Sequence, residues 1–435
     1  MSALFLARIQ FALTICFHFL FPAMTLGTAL IILISETLYL KKKNDHYKRI
    51  TDFLVKLLGL IFVAGTASGI VMEFSFGMNW SSYSRAVGDV FGPLLAAEGV
   101  MAFFLESVFL GVLLFARERV SPGTYWLSAL MVFLGGHLSA FWIVVANSWM
   151  QTPAGYALTE SGRIVLNSFG EAVFNPSTTV RYLHTVLASW VTSAVMVAGI
   201  AGYYVRKGLH GETAKTMLKI AIVLFAVTPL LQLGAGHVHA IEVIRLQPEK
   251  AAALEGHFET ARGVRIYAVG YVDEQNRKTY GLYIPKGLSF LYNFDWNSEI
   301  KGLNDFPREH WPPVNFVFQV YHIMVGAGVV LIALGLLGGY LLWRGKLYLA
   351  KTYLFLLPFL IPLPHIAHET GWIAAEVGRQ PWIIYKLMKT SDGVSAVVGA
   401  REIALSLTMF SVVYLLLAAV FVKVFLKIVG KGPAV

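Results

Sequence analysis

From Val314 to Trp343 the chain reads VNFVFQVYHIMVGAGVVLIALGLLGGYLLW, without a single Asp, Glu, Lys or Arg. A helix rising 1.5 Å per residue crosses a hydrocarbon core of about 30 Å in about 20 residues, so this stretch predicts a transmembrane helix. Further apolar runs begin near Phe11, Phe53, Gly92, Tyr125, Tyr182, Leu218, Tyr348 and Glu402, making nine spans. Composition agrees: of 435 residues, 57% are hydrophobic and only 14% charged, and the mean hydropathy is +0.64. No ordinary water-soluble domain has these values. The expected fold is an all-α integral membrane protein. Arg8 precedes the first run and no small-residue cleavage site follows it, so that run reads as a retained helix and not a signal peptide.

Loop charge predicts the orientation. Lys41, Lys42, Lys43, Lys48 and Arg49 follow the first span, Arg117 and Arg119 the third, and Arg206, Lys207 and Lys215 the fifth. Arg344, Lys346 and Lys351 follow the seventh, and Lys423, Lys427 and Lys431 close the ninth. Basic short loops stay in the cytoplasm, which puts the N-terminus outside and the C-terminus inside. The formal charge of +10 is then a cytoplasmic collar, with no nucleic-acid partner implied. Three regions follow: helices one to six in residues 1–236, an external loop in 237–313, and helices seven to nine in 314–435. The loop mixes Pro, Gly, acidic and aromatic residues, a composition that favours a packed functional element over a free tail. The lone Cys16 excludes an intrachain disulfide and a CxxCH haem attachment.

Residues 371–382, GWIAAEVGRQPW, set Glu376 and Arg379 among aromatic anchors at the mouth of the eighth span, near His368 and Glu369. Ionisable groups at membrane depth are costly unless they pair or ligate. With the predicted topology, His18, Glu98, His184, Met324 and Glu376 gather towards the outer face. Imidazole, thioether and carboxylate all hold haem iron; a His with a Met makes a closed, low-spin electron carrier, whereas oxygen needs an open position. One intramembrane His, such as His137 or His365, more often makes a hydrogen bond between helices, but a set at one depth favours a cofactor site. Glu98 and Glu106 lie eight residues apart, about 12 Å along a helix. They read as a proton relay, with the Ser139 hydroxyl joining it; the plainer alternative is a carboxyl bonded across helices.

Seven stretches, in order, resemble subunit I of the cytochrome bd-type quinol oxidases: RIQFALTICFHFLFPAMTLG, MEFSFGMNWSSYSRAVGDVFG, AAEGVMAFFLES, HLSAFWIVVANSWMQTP, RYLHTV, HIMVG and GWIAAEVGRQPW. The resemblance spans essentially the whole chain. It implies a prokaryotic cytoplasmic-membrane terminal oxidase that oxidises quinol at the outer face and reduces O2 to water, building a proton-motive force without pumping. It implies that His184 and Met324 are axial ligands of a low-spin haem b. His18 and Glu376 would hold the two high-spin haems, a haem b and a haem d or third haem b, with Glu98 beside them as a further candidate iron ligand. Trp372, one helical turn before Glu376, would sit between the haems, and Arg379 would hold propionates. In QPEKAAALEGHFET, Lys250 and Glu255 match positions linked to quinol oxidation, in a quinol loop of the short form. A second, similarly sized membrane subunit, a small single-helix subunit and surrounding membrane lipid are the implied partners.

Two departures stand out. His322 replaces the Arg usual two residues before the ligand Met, a change expected to alter propionate pairing. After the sixth span GAGHVHA, with His237 and His239, replaces an acidic turn; on a strand that pair would be a candidate metal site. The competing class is a polytopic transporter with a buried His/Glu site and no haem, but broken helices or inverted repeats at the midplane would be its mark. A haem-copper oxidase needs more paired His than His365 and His368, and none of the twelve His has the spacing of a bc-type cytochrome b.

Overall fold

Backbone exposed to lipid has no water to bond, so each apolar run satisfies its own amide groups by coiling. The computed structural model describes residues 2–160 and 162–433. Six long helices come first: α1 Ala3–Lys42, α2 Asp45–Met78, α3 Ser81–Phe115, α4 Pro122–Gln151, α5 Thr178–Lys207 and α6 Gly211–Leu246. Between α6 and the next span lie the short helices α7 Pro248–Leu254 and α8 Gly287–Asn293. An antiparallel hairpin sits between them, β1 Ile266–Asp273 and β2 Lys278–Ile284. The chain then forms α9 Val314–Trp343, α10 Lys351–Leu356, α11 Pro362–Val377 and α12 Ala400–Lys431. Local chemistry marks the ends: Ser121 Oγ accepts from the Thr124 amide at 3.1 Å ahead of Pro122, and α5 stops at Gly208 in the left-handed region.

Among the described residues, eight helices are long and apolar enough to cross a membrane. The ninth apolar run, from Tyr348, is broken into α10, a 3-10 stretch Leu357–Leu360, and α11. Pro358, Pro362 and Pro364 remove backbone donors there, which ends an unbroken helix. A second difference concerns the start of the loop. The helix α6 continues past residue 236 to Leu246, so His237 and His239 are helical and lie on diverging faces. His237 meets the Phe294 ring at 5.5 Å and His239 the His184 ring at 5.2 Å, which rules out the strand geometry that a metal-binding pair would need.

The helix α5 occupies the centre, packed on α6, α1, α4 and the broken segment. Its approach to α1 runs through small residues: Ser193 Oγ donates to the Met24 carbonyl at 2.7 Å, beside Gly27. By contrast α12 buries only Ile403 and Tyr414 and leaves its other apolar side chains exposed.

The basic loops gather at one end of the bundle. Lys48 pairs with Glu118 at 3.0 Å, His46 bonds Thr213 at 2.8 Å, Tyr348 donates to the Lys215 carbonyl at 3.3 Å, and Tyr204 donates to the Val429 carbonyl at 2.5 Å. Beneath them Arg117 stacks on Tyr125 at 4.0 Å and pairs with fully buried Glu36 at 2.9 Å and with Asp52 at 3.3 Å. Removing one member of such a pair strands the other charge, at a cost of about 3 kcal/mol or more, whereas replacing both with apolar groups is far milder. Thermal melting of the purified protein should therefore show a large loss for Arg117→Met and substantial recovery in the Arg117→Met/Glu36→Met double variant. A single variant as stable as wild type would show that the pair holds nothing.

Candidate functional site

The site groups lie away from the basic end and begin on α1. His18 Nδ1 sits 3.0 Å from Ser68 Oγ. The Ser68 hydroxyl faces the Ala64 and Gly65 carbonyls at 2.9 and 3.0 Å, so its one proton is engaged there and the imidazole Nδ1–H donates to the Ser68 oxygen. That tautomer leaves Nε2 with a free lone pair, the form a metal-ligating His takes. The next residue, Phe19, packs edge-on against Trp372 at 5.3 Å and tilted against His368 at 5.3 Å.

Glu98 opens a π-helical turn, Glu98–Phe103, inside α3. At 100° per residue, eight residues would place Glu98 and Glu106 about 80° apart; the extra residue of a π turn narrows this to about 20°. Both then face α4. Ser139 donates to Glu98 Oε1 at 2.7 Å. One turn earlier on α4, Gly135 lets the Glu106 backbone approach so closely that a Cβ there would stand 3.0 Å from its amide nitrogen. Glu106 is buried, and its Oε1 has no protein partner.

His184 on α5 packs against Gly236 of α6, and its buried Nδ1 has no protein partner. Met324 on α9 directs its sulfur at Gly371 of α11, where a Cβ would come within 2.8 Å of it. The helices α6 and α11 each pack against both α5 and α9, so they wall the space between these two side chains. His137, by contrast, has both ring nitrogens engaged, near the Phe133 carbonyl at 2.7 Å and accepting from Trp190 Nε1 at 3.1 Å. It is the interhelical hydrogen bond expected of a lone His.

Glu376 ends α11 as the acceptor of three donors: Asn147 Nδ2 at 3.0 Å, Gln151 Nε2 at 3.0 Å, and the Arg379 guanidinium. Arg181, buried, donates to Asn147 Oδ1 at 3.0 Å behind them. Asn147, Gln151 and Arg181 lie within the motif stretches, but only the fold reveals their common target. Arg379 keeps Nε and Nη1 buried without a protein acceptor, and His365 Nδ1 and His368 Nε2 are likewise unpartnered. Guanidinium donors of this kind suit a carboxylate, and the His, Met and Glu side chains suit iron. The residues present therefore fit haem groups.

The loop helix α7 docks on the turn after α11. The Lys250 stem runs over Gly378, and its Nζ donates to Gln151 Oε1 at 3.0 Å and Gln247 Oε1 at 3.3 Å. Buried Glu249 beside it accepts from Tyr385 at 2.6 Å, a partner sequence reading did not single out. Glu255 turns the other way, accepting from Tyr292 at 3.1 Å and facing Tyr321. Among the described residues no hydrogen bond or ion pair joins Lys250 to Glu255. Burial holds the Lys250 amine well below the ordinary lysine range and raises Glu255 to about 7, the two tyrosines opposing that rise.

His322 lies between two backbone carbonyls. Its Nδ1 lies 2.8 Å from the Phe318 carbonyl and its Nε2 2.9 Å from the Tyr267 carbonyl. A neutral imidazole has one N–H to give; donated from Nε2 to Tyr267, it fastens the hairpin to α9.

Comparison with known proteins supplies the context. A family model described as cytochrome bd terminal oxidase subunit I matches residues 6–433. The chain is 38% identical over 443 residues to cytochrome bd ubiquinol oxidase subunit 1 of Bacillus subtilis (strain 168), covering 99% of this chain and 94% of that one. It is 32% identical over 497 residues to cytochrome bd-II ubiquinol oxidase subunit 1 of Escherichia coli (strain K12), with 99% and 96% covered. Its fold is similar to that of bd oxidase from Geobacillus thermodenitrificans, with a TM-score of 0.92, 28% identity and 99% of both chains covered.

Because a Cβ at residue 371 would stand 2.8 Å from the Met324 sulfur, Gly371→Ala should displace the thioether. The purified variant is expected to keep its fold and to show an altered visible spectrum if that sulfur ligates iron. An unchanged spectrum would separate Met324 from the pigment.

Proposed function

Since the chain belongs to the family of cytochrome bd terminal oxidase subunit I, we propose that it is the haem-carrying subunit of an electrogenic quinol:oxygen oxidoreductase in a prokaryotic cell membrane. The observation that carries this reading is the docking of α7 on the turn after α11, which sets the buried Lys250 and Gln151 beside Glu376 and Arg379. In it the groups of the loop and the ligand-bearing helix form one connected polar network. His184 and Met324 would hold a low-spin haem b, while His18 and Glu376 would hold a high-spin haem b and a haem d or third haem b. Glu98 would be a further candidate ligand beside the latter pair, Trp372 would separate the two, and Arg379 would bind a propionate. Bound haems supply electron transfer from quinol to O2 and the site where O2 is reduced to water.

The protein's own groups manage protons and position. Glu255 accepts the proton of a quinol hydroxyl, and its pKa near 7 matches that task at neutral pH. Lys250, held by Gln151 and Gln247, donates a hydrogen bond to the oxygen that becomes negative. With the N-terminus outside and the basic loops in the cytoplasm, protons from quinol leave on the outer side. Protons consumed in making water come from the cytoplasm through Glu106, Ser139 and Glu98, each carboxyl taking and releasing a proton with no lasting charge in lipid. Charge is thus separated without a pump, against about 2.3 kcal/mol per charge for each 100 mV. The name subunit 1 borne by the relatives supports a second membrane subunit; a small single-helix subunit completes the proposed assembly, in contact with membrane lipid.

Quinol-driven oxygen uptake by the purified complex tests the reading directly. Only the deprotonated Glu255 can accept a proton, so kcat/KM should rise with pH through about 7 and level off above it. Glu255→Gln should lower the rate by about 100-fold or more and remove that limb of the profile. Lack of quinol-dependent uptake in haem-replete wild type would refute the oxidase reading, and a Gln variant with wild-type rate and profile would refute the role of Glu255.

A further inference from the structure

The loop hairpin is packed unusually deep for an extramembrane element. Three side chains on one face of α9, at spacings of four and three residues, bond the free edge of β1. Asn315 Oδ1 accepts from the Val272 amide at 3.1 Å, Gln319 Nε2 donates to the Gly270 carbonyl at 2.8 Å, and His322 Nε2 donates to the Tyr267 carbonyl at 2.9 Å. An open strand edge is normally left to water; one at membrane depth needs such protein partners.

Depth follows from helix geometry. The helix α9 spans Val314–Trp343, about 45 Å at 1.5 Å per residue against a hydrocarbon thickness of about 30 Å. Centred in the bilayer, it enters hydrocarbon about five residues below its first one. Tyr267 is bonded at residue 322, eight residues in, and so lies at or just below that boundary. A second helix gives the same answer: Phe294, beyond α8, packs edge-on against His237, nine residues before the end of α6.

The outward face is the other half of the argument. Val269 pairs with Leu282 and Tyr271 with Tyr280, and these four side chains are 54% to 75% exposed. The neighbouring Trp296 stacks on Phe290 at 4.1 Å and is itself half exposed. Lys278 opens β2 after a turn that carries Glu274 and Arg277. Tyrosine and tryptophan beside aliphatic groups form the composition that settles at a bilayer interface, with the rings among the headgroups.

We propose that the hairpin 266–284 and the segment 287–296 form a flap seated in the membrane interface, its face of Val269, Tyr271, Tyr280 and Leu282 covered by phospholipid. The face continues the lipid-exposed side of α9, where Phe316 and Ile323 are exposed at the same level. Resting on the proposed quinol chemistry, one consequence is that a membrane-dissolved reductant reaches Glu255 sideways from lipid, past Tyr292 and Tyr321.

The test is nitroxide accessibility in the whole complex, reconstituted in vesicles of phosphatidylethanolamine and phosphatidylglycerol. Leu282→Cys and Lys278→Cys are made separately in a Cys16→Ala background, and Tyr280→Cys reads the same face should the first not assemble. The label at 282 should be relaxed by O2 and shielded from a water-soluble nickel chelate, with an O2-to-nickel ratio at least about fivefold above that at 278. Equal nickel access at both positions would place the flap in water, and access by neither relaxant at 282 would show protein covering it; either result overturns the proposal. The readout does not depend on turnover, so it stands apart from any failure of the oxidase reading.

Discussion

A carboxylate enclosed by helices survives as an anion only where donors replace the water it has lost, and Glu376 has three of them. Asn147 and Gln151 come from α4 and Arg379 from the turn after α11, with Arg181 of α5 behind Asn147. The same Gln151 accepts from Lys250, so the external loop is joined to the membrane core through one amide side chain. Four elements thus owe their relative placement at this end of the bundle to a single half-buried charge. Removing a donor would leave Glu376 partly unpaired, and replacing Glu376 would strand the Arg379 guanidinium.

The relay side of the molecule depends on a backbone irregularity in place of a charge. A regular helix would turn Glu106 away from the line of Glu98, and the π turn at Glu98–Phe103 brings it back towards α4. The Ser139 hydroxyl and the close approach at Gly135 then complete that contact surface. Along one helix pair, two carboxyl groups are aligned with little polar surface shown to lipid.

Much of this was legible before any coordinates. Hydrophobic run lengths predict the spans, and the motif stretches contain His18, Glu98, His184, Met324 and Glu376. What the runs hide is backbone detail. The prolines at 358, 362 and 364 split the run from Tyr348, while GAGHVHA, which reads as a loop by composition, is carried helically by packing against α5 and the loop segment. The roles of Gln151 and Asn147 were equally hidden, because an amide side chain has no signature until its partner is in place. The sequence singles out His322 as a replacement for Arg, but its neighbour is a strand edge, a long-range pairing that local sequence does not encode.

The central claim is that His184 and Met324 face a shared iron centre while other ligands leave a second one open. The most direct measurement is the reduced-minus-oxidised absorption spectrum of the purified complex, with and without carbon monoxide, for wild type and Met324→Leu. The account predicts a low-spin b-type signal that is lost or shifted in the variant, beside a carbon monoxide-reactive high-spin centre present in both. Well-folded wild-type protein without haem absorption, or a variant whose low-spin signal is unchanged, would contradict it.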